Sequence, residues 1–546
     1  MTGKRRAAKP GLPRLLRLRR ARIWLLSACV LTAFVYPIAD AVGRSVRTPT
    51  LVVDNSFALD TLDPQRAFDP TSIIVDRAIY DTLFTYKAGA SQPVPQLVHS
   101  WKSKGSKRFT LQLKKNVHFA DGTPMTAADV VFSLRRLINL KGNPSFLLDG
   151  VAVSSPDKHT VVLRTSTPEP QLPAILASTE TGIVNSKLVK AHGGRASHDA
   201  STTDTAEQWL NSGDSVGAGS GPYALQTSDR TSQITLRRSP NYWGSAKKPP
   251  FGTVVIRNMP APTQALNIRR GGHQIAIDLS SAQAKGLAHD KHLHVTRQPS
   301  AWTFYLYTHN SHQVSSVTPN RRFQRAVRYA VDYEALRSLA GPGAIQAAGL
   351  IPSMIPGHLS RRDAAKRNVS KAKANLAASG VGDKQVTLEY PSDLTINGVS
   401  FATVAQKVQA NLRAVGVNVA ISGSPVATLQ PRFRAGKVAF SVWAYVPDYL
   451  DPADYGVFLP GQLLALHVGW TKGSDPAIEK LAAKAAVTTG RRARAALYRR
   501  IQRGMNARSP FKPLIQPAQV FVATRDLGGA TFNPAYAVDL TRISPR

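Results

Sequence analysis

Cysteine is nearly missing from this sequence, because its 546 residues contain only one, Cys29. A single cysteine excludes an internal disulfide and any zinc or iron–sulfur site built from several cysteines. Long apolar runs are also scarce, since only one stretch approaches the length needed to cross a bilayer, so the chain is not a polytopic membrane protein. The sequence has no Walker phosphate-binding loop and no Gly-x-Ser-x-Gly motif between a strand and a helix. We therefore expect no catalytic residues and no enzyme activity.

Acidic residues are also scarce, because the sequence has 33 Asp and Glu but 70 Lys and Arg, which gives a net charge of +37. Nucleic-acid binders often share such an excess, but they concentrate it in stripes with aromatic residues or in a recognisable motif. Here the basic residues are scattered and no such motif occurs. Without residues 1–41 the chain keeps 61 basic and 32 acidic residues, a net charge of +29. We expect this surface to face an anionic membrane or cell wall and to bind no nucleic acid.

The amino-terminal segment has the order of an export signal, with nine basic residues in 1–22 followed by the apolar run 23–36. Pro37 ends the run, and Ala39-Asp40-Ala41 has the small-x-small pattern of a signal-peptidase site. We assign residues 1–41 to a signal peptide or membrane anchor and favour cleavage after Ala41. Three alternatives stay open, namely a lipoprotein signal at Cys29, an uncleaved anchor over 23–42 and a twin-arginine signal at Arg19-Arg20. All of them export residues 45–546 to the outer face of the cytoplasmic membrane, the cell wall or the periplasm.

Hydrophobic spacing along the rest of the chain switches between strand and helix patterns. The patterns predict strands at 51–53, 109–114 and 222–225, helices at 73–80, 130–138, 323–336 and 481–505, and a surface loop at 201–221. A capping box at Thr126–Asp129 precedes the second of these helices. No repeat of fixed period occurs. Length and the mixture of elements predict an α/β or α+β protein of more than one domain.

Distinctive blocks of sequence lie in order between about residues 50 and 530. The most specific is residues 117–133, Val-His-Phe-Ala-Asp-Gly-Thr-Pro-Met-Thr-Ala-Ala-Asp-Val-Val-Phe-Ser. The others are Thr61–Pro64, Ile79–Tyr86, Pro95–Val98, Gly221–Tyr223, Asn241–Trp243, Arg325–Asp332, Ile351–Pro352 and Asp448–Pro452. Together these blocks resemble the extracellular solute-binding proteins of oligopeptide, dipeptide and nickel ABC importers, the family 5 binding proteins.

The resemblance implies an α/β protein with the type II periplasmic-binding-protein fold, in which two lobes close around a hinge and an extra domain is inserted. We expect lobe I to comprise residues 45–74, 216–293 and 508–546, the inserted domain 75–215 and lobe II 294–507. The implied function is capture of peptides or a related small solute between the lobes and delivery to an ABC permease and ATPase complex. The alternatives are a membrane-anchored solute sensor or scaffold, or a binder of a nickel chelate or sugar.

The Asp448–Pro452 block carries the main predicted ligand contacts. In peptide-binding members of the family the first acid of this block pairs with the α-ammonium of the peptide, and the resemblance gives that role to Asp448. The family usually has a Trp three residues before this acid, where this sequence has Tyr445. Trp443 and Tyr449 complete a predicted aromatic wall. The alternative for Asp448 is an acid that stabilises a turn.

Two further segments are candidates for the ligand cleft. Leu59 and Asp60 resemble the segment with which peptide binders pair the ligand backbone as an added strand, and a plain lobe strand is the alternative. Trp302 and Tyr305 could face the cleft, although an aromatic strand is more often part of a core.

Histidines occur at spacings that suit a metal, at 289, 292 and 294 and again at 309 and 312. They lie among other polar residues, which favours a solvated loop. We therefore assign no metal site and no cofactor.

Overall fold

A computed structural model of the protein describes residues 48–244 and 249–546. The predicted signal peptide or anchor, its cleavage site and its three alternatives lie outside the described residues. Within those residues, no helix is both long enough and apolar enough to cross a membrane.

The first large sheet has seven strands, which in spatial order are Leu293–Pro299, Ala518–Thr524, Gln274–Ala276, Thr50–Asn55, Thr253–Asn258, Gln233–Arg238 and Tyr223–Asp229. The strand Thr50–Asn55, predicted from Leu51–Val53, is central and pairs in parallel with both of its neighbours. Its Leu51 and Val53 are fully buried. Such β-branched and apolar side chains favour a strand whose faces are covered.

The second large sheet has six strands, in the order Ile345–Gln346, Phe511–Gln516, Thr303–Thr308, Phe440–Tyr445, Val386–Pro391 and Val419–Ser424. Alternate residues of Thr303–Thr308 point to opposite faces. Phe304 and Leu306 pack with the helices Arg321–Ala330 and Phe401–Arg413, whereas Tyr305 and Tyr307 belong to another apolar cluster. The sheet is therefore covered on both faces.

Along the chain, a separate four-stranded antiparallel sheet lies between Thr50–Asn55 and Tyr223–Asp229, two strands of the seven-stranded sheet. Its strands are Val98–Lys104, Arg108–Leu113, Thr160–Arg164 and Ala152–Asp157. Four two-stranded pairs complete the β-structure, at Phe84–Tyr86 with Pro93–Pro95, Thr395–Ile396 with Val399–Ser400, Leu527–Gly528 with Ser544–Pro545, and Phe532–Asn533 with Ala537–Val538.

The α-helices are Pro70–Ile79, Ala127–Leu140, Leu172–Ile175, Ser186–Ala191, Ala200–Thr203, Glu207–Leu210, Ala261–Asn267, Ser281–Lys285, Arg321–Ala330, Tyr333–Leu339, Val369–Ala377, Phe401–Arg413, Val426–Arg434, Leu463–Leu466, Pro476–Val487 and Arg491–Arg508. Short 3₁₀ helices lie at Asn143–Leu148, Thr179–Thr181, Gly213–Gly217, Arg361–Asp363, Pro452–Phe458 and Leu540–Arg542. The predicted loop 201–221 therefore contains short helical turns.

Two predicted helices are each two helices in the structure. The segment 323–336 is divided after Ala330, because the carboxylate of Asp332 accepts a hydrogen bond from the N–H of Ala335 and starts a new helix. The segment 481–505 is divided between Val487 and Arg491 around Gly490. The predicted capping box is present at the start of the helix Ala127–Leu140, where the N–H of Thr126 donates to Asp129 Oδ2 at 2.8 Å.

A buried ionic network fixes the helix Ala127–Leu140 to the segment that follows the strand Thr50–Asn55. The Arg136 guanidinium is fully buried and donates to both oxygens of Asp63, each at 2.6 Å. It also donates to Asp204 at 2.7 and 2.8 Å and to Gln65 at 2.8 Å. Each buried charge is therefore paired, as burial requires.

The chain passes between the two large sheets at residues 300–302 and again at Pro517. The two crossings are joined, because the N–H of Ser300 donates to the Pro517 carbonyl at 2.9 Å. The strand Leu293–Pro299 therefore belongs to the first sheet, although the prediction starts lobe II at 294, and Phe511–Gln516 belongs to the second, although the prediction resumes lobe I at 508. The assignment of the lobes themselves stays a prediction.

Candidate functional site

The loop that follows the strand Phe440–Tyr445 carries the two acids of the Asp448–Pro452 block, and they have different partners. Asp451 accepts two hydrogen bonds from the guanidinium of Arg494, at 2.7 and 2.8 Å. It also accepts from the N–H of Ala453 at 2.8 Å and so caps the 3₁₀ helix Pro452–Phe458. Asp451 is thus committed to holding the loop on the helix Arg491–Arg508.

Asp448 has no such basic partner. The Tyr445 hydroxyl lies 3.5 Å from its Oδ2 and donates to Asp454 Oδ2 at 3.0 Å. Among residues 48–244 and 249–546 no Lys or Arg forms an ion pair with Asp448 or Asp454. Burial raises the pKa of Asp448 to about 6, against a smaller lowering by the Tyr445 hydroxyl. Burial and the charge of Asp448 raise the pKa of Asp454 well above its usual range.

A third acid approaches this pair from residues 75–215, the predicted inserted domain. Glu180 lies in the 3₁₀ helix Thr179–Thr181 and is only 5% exposed. The hydroxyl of the nearby Ser178 donates to the backbone carbonyl of Asp448 at 3.4 Å. Burial raises the pKa of Glu180 to about 8, and the negative charges of Asp448 and Asp69 contribute in the same direction. The site therefore combines acids from two parts of the chain and would be stabilised by a bound cation.

Aromatic rings surround the acids on the side of the six-stranded sheet. The Tyr445 ring packs edge-on against Tyr455 at 5.3 Å and Phe458 at 5.1 Å. Tyr449 is half-buried against the same cluster. These rings lower the local polarity and account for the burial of the carboxylates.

Comparison with known proteins identifies the family. Residues 92–460 match the bacterial extracellular solute-binding proteins, family 5 Middle. The chain belongs to this family.

Similar proteins and solved structures agree with that result. The chain is 27% identical over 510 residues to the probable D,D-dipeptide-binding periplasmic protein DdpA of Escherichia coli strain K12, covering 91% of this chain and 94% of the relative. It is similar to the ABC transporter substrate binding protein CtaP of Listeria monocytogenes, with a TM-score of 0.78, 17% identity and coverage of 91% and 99%. The periplasmic binding protein DppA of Helicobacter pylori in complex with the peptide STSA gives a TM-score of 0.72, 20% identity and coverage of 91% and 98%. These structures confirm the predicted type II periplasmic-binding-protein fold.

The structure brings some of the predicted ligand residues together and places others in the core. Asp448, Tyr445 and Tyr449 share the acidic site. Trp443 is 8% exposed and its ring packs 5.5 Å from that of Phe433, within the apolar core. Tyr305 is also buried, with its ring 5.3 Å from Phe458, which in turn packs against Tyr445. Trp302 is half-buried against the opposite apolar cluster of the sheet.

The segment around Leu59 and Asp60 is not a strand. It is an irregular stretch after Thr50–Asn55, so the alternative of a plain lobe strand is wrong. The N–H of Ala58 donates to Thr71 Oγ1 at 3.1 Å, and the N–H of Asp60 donates to Asp69 Oδ2 at 3.4 Å. Leu59 packs partly against the core of the first sheet, whereas Asp60 is exposed. These contacts occupy some of the backbone that a ligand strand would use.

The histidines fall into separate environments. Those at 289, 292 and 294 are exposed, whereas His309 is buried and accepts from the N–H of Ser311 at 3.0 Å. Within the described part of the chain, no group of three or more His, Cys, Asp or Glu side chains is arranged to hold a metal ion.

Glu180 and Asp454 are the site residues that sequence reasoning missed. Asp454 lies three residues after Asp451, so the same block could have indicated it. Glu180 gave no local signal, because the contact between its segment and Asp448 joins residues 270 positions apart.

Proposed function

We propose that the protein is the extracellular substrate-binding component of an ABC importer and that it captures peptides between its two lobes. The observation that carries this proposal is the Asp448 carboxylate, which lies 3.5 Å from the Tyr445 hydroxyl and near two further acids, and which has no basic partner among the described residues. An ammonium group is the partner that such a carboxylate needs. The free amino terminus of a peptide supplies one.

The contrast between Asp448 and Asp451 supports this role. The two acids lie three residues apart, and Arg494 fully engages Asp451 while leaving Asp448 free. Asp451 thereby fixes the loop, and the loop presents Asp448 to a ligand. Preorganisation of this kind lowers the entropy lost when a ligand binds.

The backbone near Leu59 offers a second point of contact. Leu59 is half-buried beside the first sheet, and no strand pairs with this stretch in the described structure. Because the N–H groups of Ala58 and Asp60 already donate to Thr71 and Asp69, a peptide added alongside it would pair with the remaining main-chain groups, in hydrogen bonds that are independent of side chains. Such binding would tolerate many peptide sequences.

Export places the binding site where an importer collects its substrate. We propose that the protein works at the outer face of the cytoplasmic membrane, in the cell wall or in the periplasm, and passes its ligand to an ABC permease and ATPase complex. The predicted lobes would close on the ligand, and the complex would recognise the closed form through its different surface. The net charge of +29 outside residues 1–41 would hold the protein near anionic membrane or cell-wall polymers.

Calorimetric titration with small solutes tests the proposal. We expect a dipeptide with a free amino terminus to bind, and the same dipeptide acetylated at its amino terminus to bind much more weakly. A sugar and a nickel chelate serve as controls, and neither should compete with the peptide. Binding of the sugar or chelate together with no binding of any peptide would contradict peptide capture.

A further inference from the structure

One face of the four-stranded sheet carries a row of basic side chains. In the register of its strands Lys104 lies directly opposite Arg108, and Arg108 lies directly opposite Arg164. Residues paired in this way point to the same face of a sheet, and Lys102, two residues before Lys104, points there as well. All four side chains are exposed. Because neighbouring strands are about 4.8 Å apart, Lys104, Arg108 and Arg164 stand side by side across about 10 Å.

No acid of the described chain neutralises this row. Within residues 48–244 and 249–546 none of the four cations forms an ion pair with a carboxylate. Residues 98–115 and 152–164, which build the sheet, contain eight Lys and Arg and one acid, Asp157. The Asp157 carboxylate accepts from the N–H of His159 at 2.8 Å, in the turn at the far end of the strands. Like charges directly opposite each other on neighbouring strands are destabilising, so the row lowers the stability of the free protein.

Protection of the sheet edge explains only part of the row. Val98–Lys104 is an edge strand, and lysines on an edge strand hinder pairing with another chain. That role accounts for Lys102 and Lys104. Arg108 and Arg164 lie on the two interior strands, which already have a partner on each side. The two arginines therefore need another explanation, and an anionic partner that neutralises the row supplies one.

Trp101 indicates the kind of anionic partner. It precedes Lys102 on the edge strand and is 40% exposed. Its ring stacks on Phe109 at 6.3 Å and meets Phe84 edge-on at 5.6 Å, so packing holds it in place. An exposed tryptophan beside basic residues is typical of surfaces that lie at the interface of a lipid bilayer. Alternation points this ring away from the basic face, so a bilayer that covers the face reaches Trp101 around the edge strand.

We propose that the basic face of the four-stranded sheet docks on an anionic lipid bilayer, with Lys104, Arg108 and Arg164 at the headgroups and Trp101 in the interface. The proposal rests on the export proposed above and adds a defined surface to it. Overall charge attracts the protein in any orientation, whereas a row of fixed cations favours one orientation. Each basic residue near such a surface contributes about fivefold to the affinity. The docking surface shares no residue with the acidic ligand site.

Co-sedimentation of the purified protein with lipid vesicles tests the docking surface. The protein should bind vesicles of phosphatidylglycerol and phosphatidylcholine more tightly than vesicles of phosphatidylcholine alone, and sodium chloride should weaken the binding. The double variant Arg108→Gln and Arg164→Gln should lower the affinity by about tenfold or more. The matched variant Arg270→Gln and Lys285→Gln removes the same charge from exposed positions outside this sheet and should lower the affinity less than about threefold. Equal losses in the two variants, or equal binding to the two kinds of vesicle, would overturn the proposal.

Folding of the variants is checked by their melting temperatures. The double variant at 108 and 164 removes a repulsion between neighbours, so its melting temperature should not fall below that of the unmodified protein. If it fails to fold, Arg164→Gln compared with Lys285→Gln carries the test, with about a fivefold loss expected for Arg164→Gln. Peptide titration of the folded variants should give unchanged affinities, so a failure of docking and a failure of peptide capture are observed separately.

Two further measurements identify the partner as a bilayer. Vesicles should shift the tryptophan emission of the unmodified protein to shorter wavelength, and Trp101→Phe should remove that shift. A shift that persists unchanged in Trp101→Phe would overturn the placement of this ring in the interface. Soluble polyphosphate serves as an anion without a bilayer. Binding of polyphosphate that depends on Arg108 and Arg164, with no binding of vesicles, would assign the row to a soluble polyanion and overturn membrane docking.

Discussion

Replacing Asp448 by asparagine is the most direct perturbation of the acidic site, because it keeps the size of the side chain and removes its charge. Truncating one partner of a desolvated charge pair costs about 2–5 kcal/mol. Asp448 is half-buried, so we expect the lower part of this range, about 2–3 kcal/mol, which corresponds to about a 30- to 150-fold loss of peptide affinity. Calorimetric titration at pH 7.5 measures this loss directly.

The loss should depend on the ligand's ammonium. We would titrate one peptide in its free and N-acetylated forms against the unmodified protein and Asp448→Asn, which gives a double-mutant cycle with the ligand as one partner. The free peptide should lose most of its affinity, while the acetylated peptide, already weak, should change little. Equal loss for both peptides would refute direct pairing and leave Asp448 as a turn residue.

Asp451→Asn is the matched control for this cycle. It makes the same chemical change three residues away, but it leaves Arg494 without its partner. We expect it to lower the stability of the loop and to weaken both peptides by a similar factor. A selective loss for the free peptide in this variant instead would move the ammonium contact from Asp448 to Asp451.

Three further predictions rest on the structure. Peptide affinity should rise about tenfold per pH unit as pH increases toward 6 and level off above 7, because the ammonium pairs with ionised Asp448, whose pKa is about 6. Titrations from pH 4.5 to 8 measure this dependence, and an affinity that does not change with pH would contradict it. Arg136→Met should lower the free energy of unfolding by about 3–5 kcal/mol in urea denaturation, since Asp63 and Asp204 lose their buried partner, and a change below 1 kcal/mol would refute that role. Small-angle scattering should show a smaller radius of gyration when peptide is added, and an unchanged radius with a bound peptide would exclude lobe closure.

Local sequence patterns predicted individual elements well and their ends poorly. The strand at 51–53 follows from its β-branched residues and the helix after Thr126 from capping chemistry, and both effects act over a few residues. The helix predicted through Tyr80 ends at Ile79. Beyond it Phe84–Tyr86, which continues the same apolar spacing, forms a strand with Pro93–Pro95. A short apolar run suits either structure, and the partner strand decides between them.

The site was predictable only as far as its chemistry is local. The local pattern marks Asp448 and Asp451 as acids of one block, and only the family resemblance singles out Asp448 as the predicted ligand contact. Arg494, 43 residues after Asp451, makes that distinction through the fold. Glu180 lies in the predicted inserted domain and reaches the site only because its turn contacts the Asp448 loop. Tertiary structure determines the role of such residues, and the sequence around them does not indicate it.

The placement of the strand Ala518–Thr524 has a consequence for biosynthesis. This strand lies in the interior of the seven-stranded sheet, between Leu293–Pro299 and Gln274–Ala276, and the N–H of Gln274 donates to Thr524 Oγ1 across 250 residues of chain. The sheet cannot be completed until nearly the whole polypeptide has been made. Contacts so distant in sequence slow folding and leave strand edges open to aggregation in the meantime. A chain interrupted before Ala518 would therefore expose two unpaired edges and depend on chaperones to remain soluble.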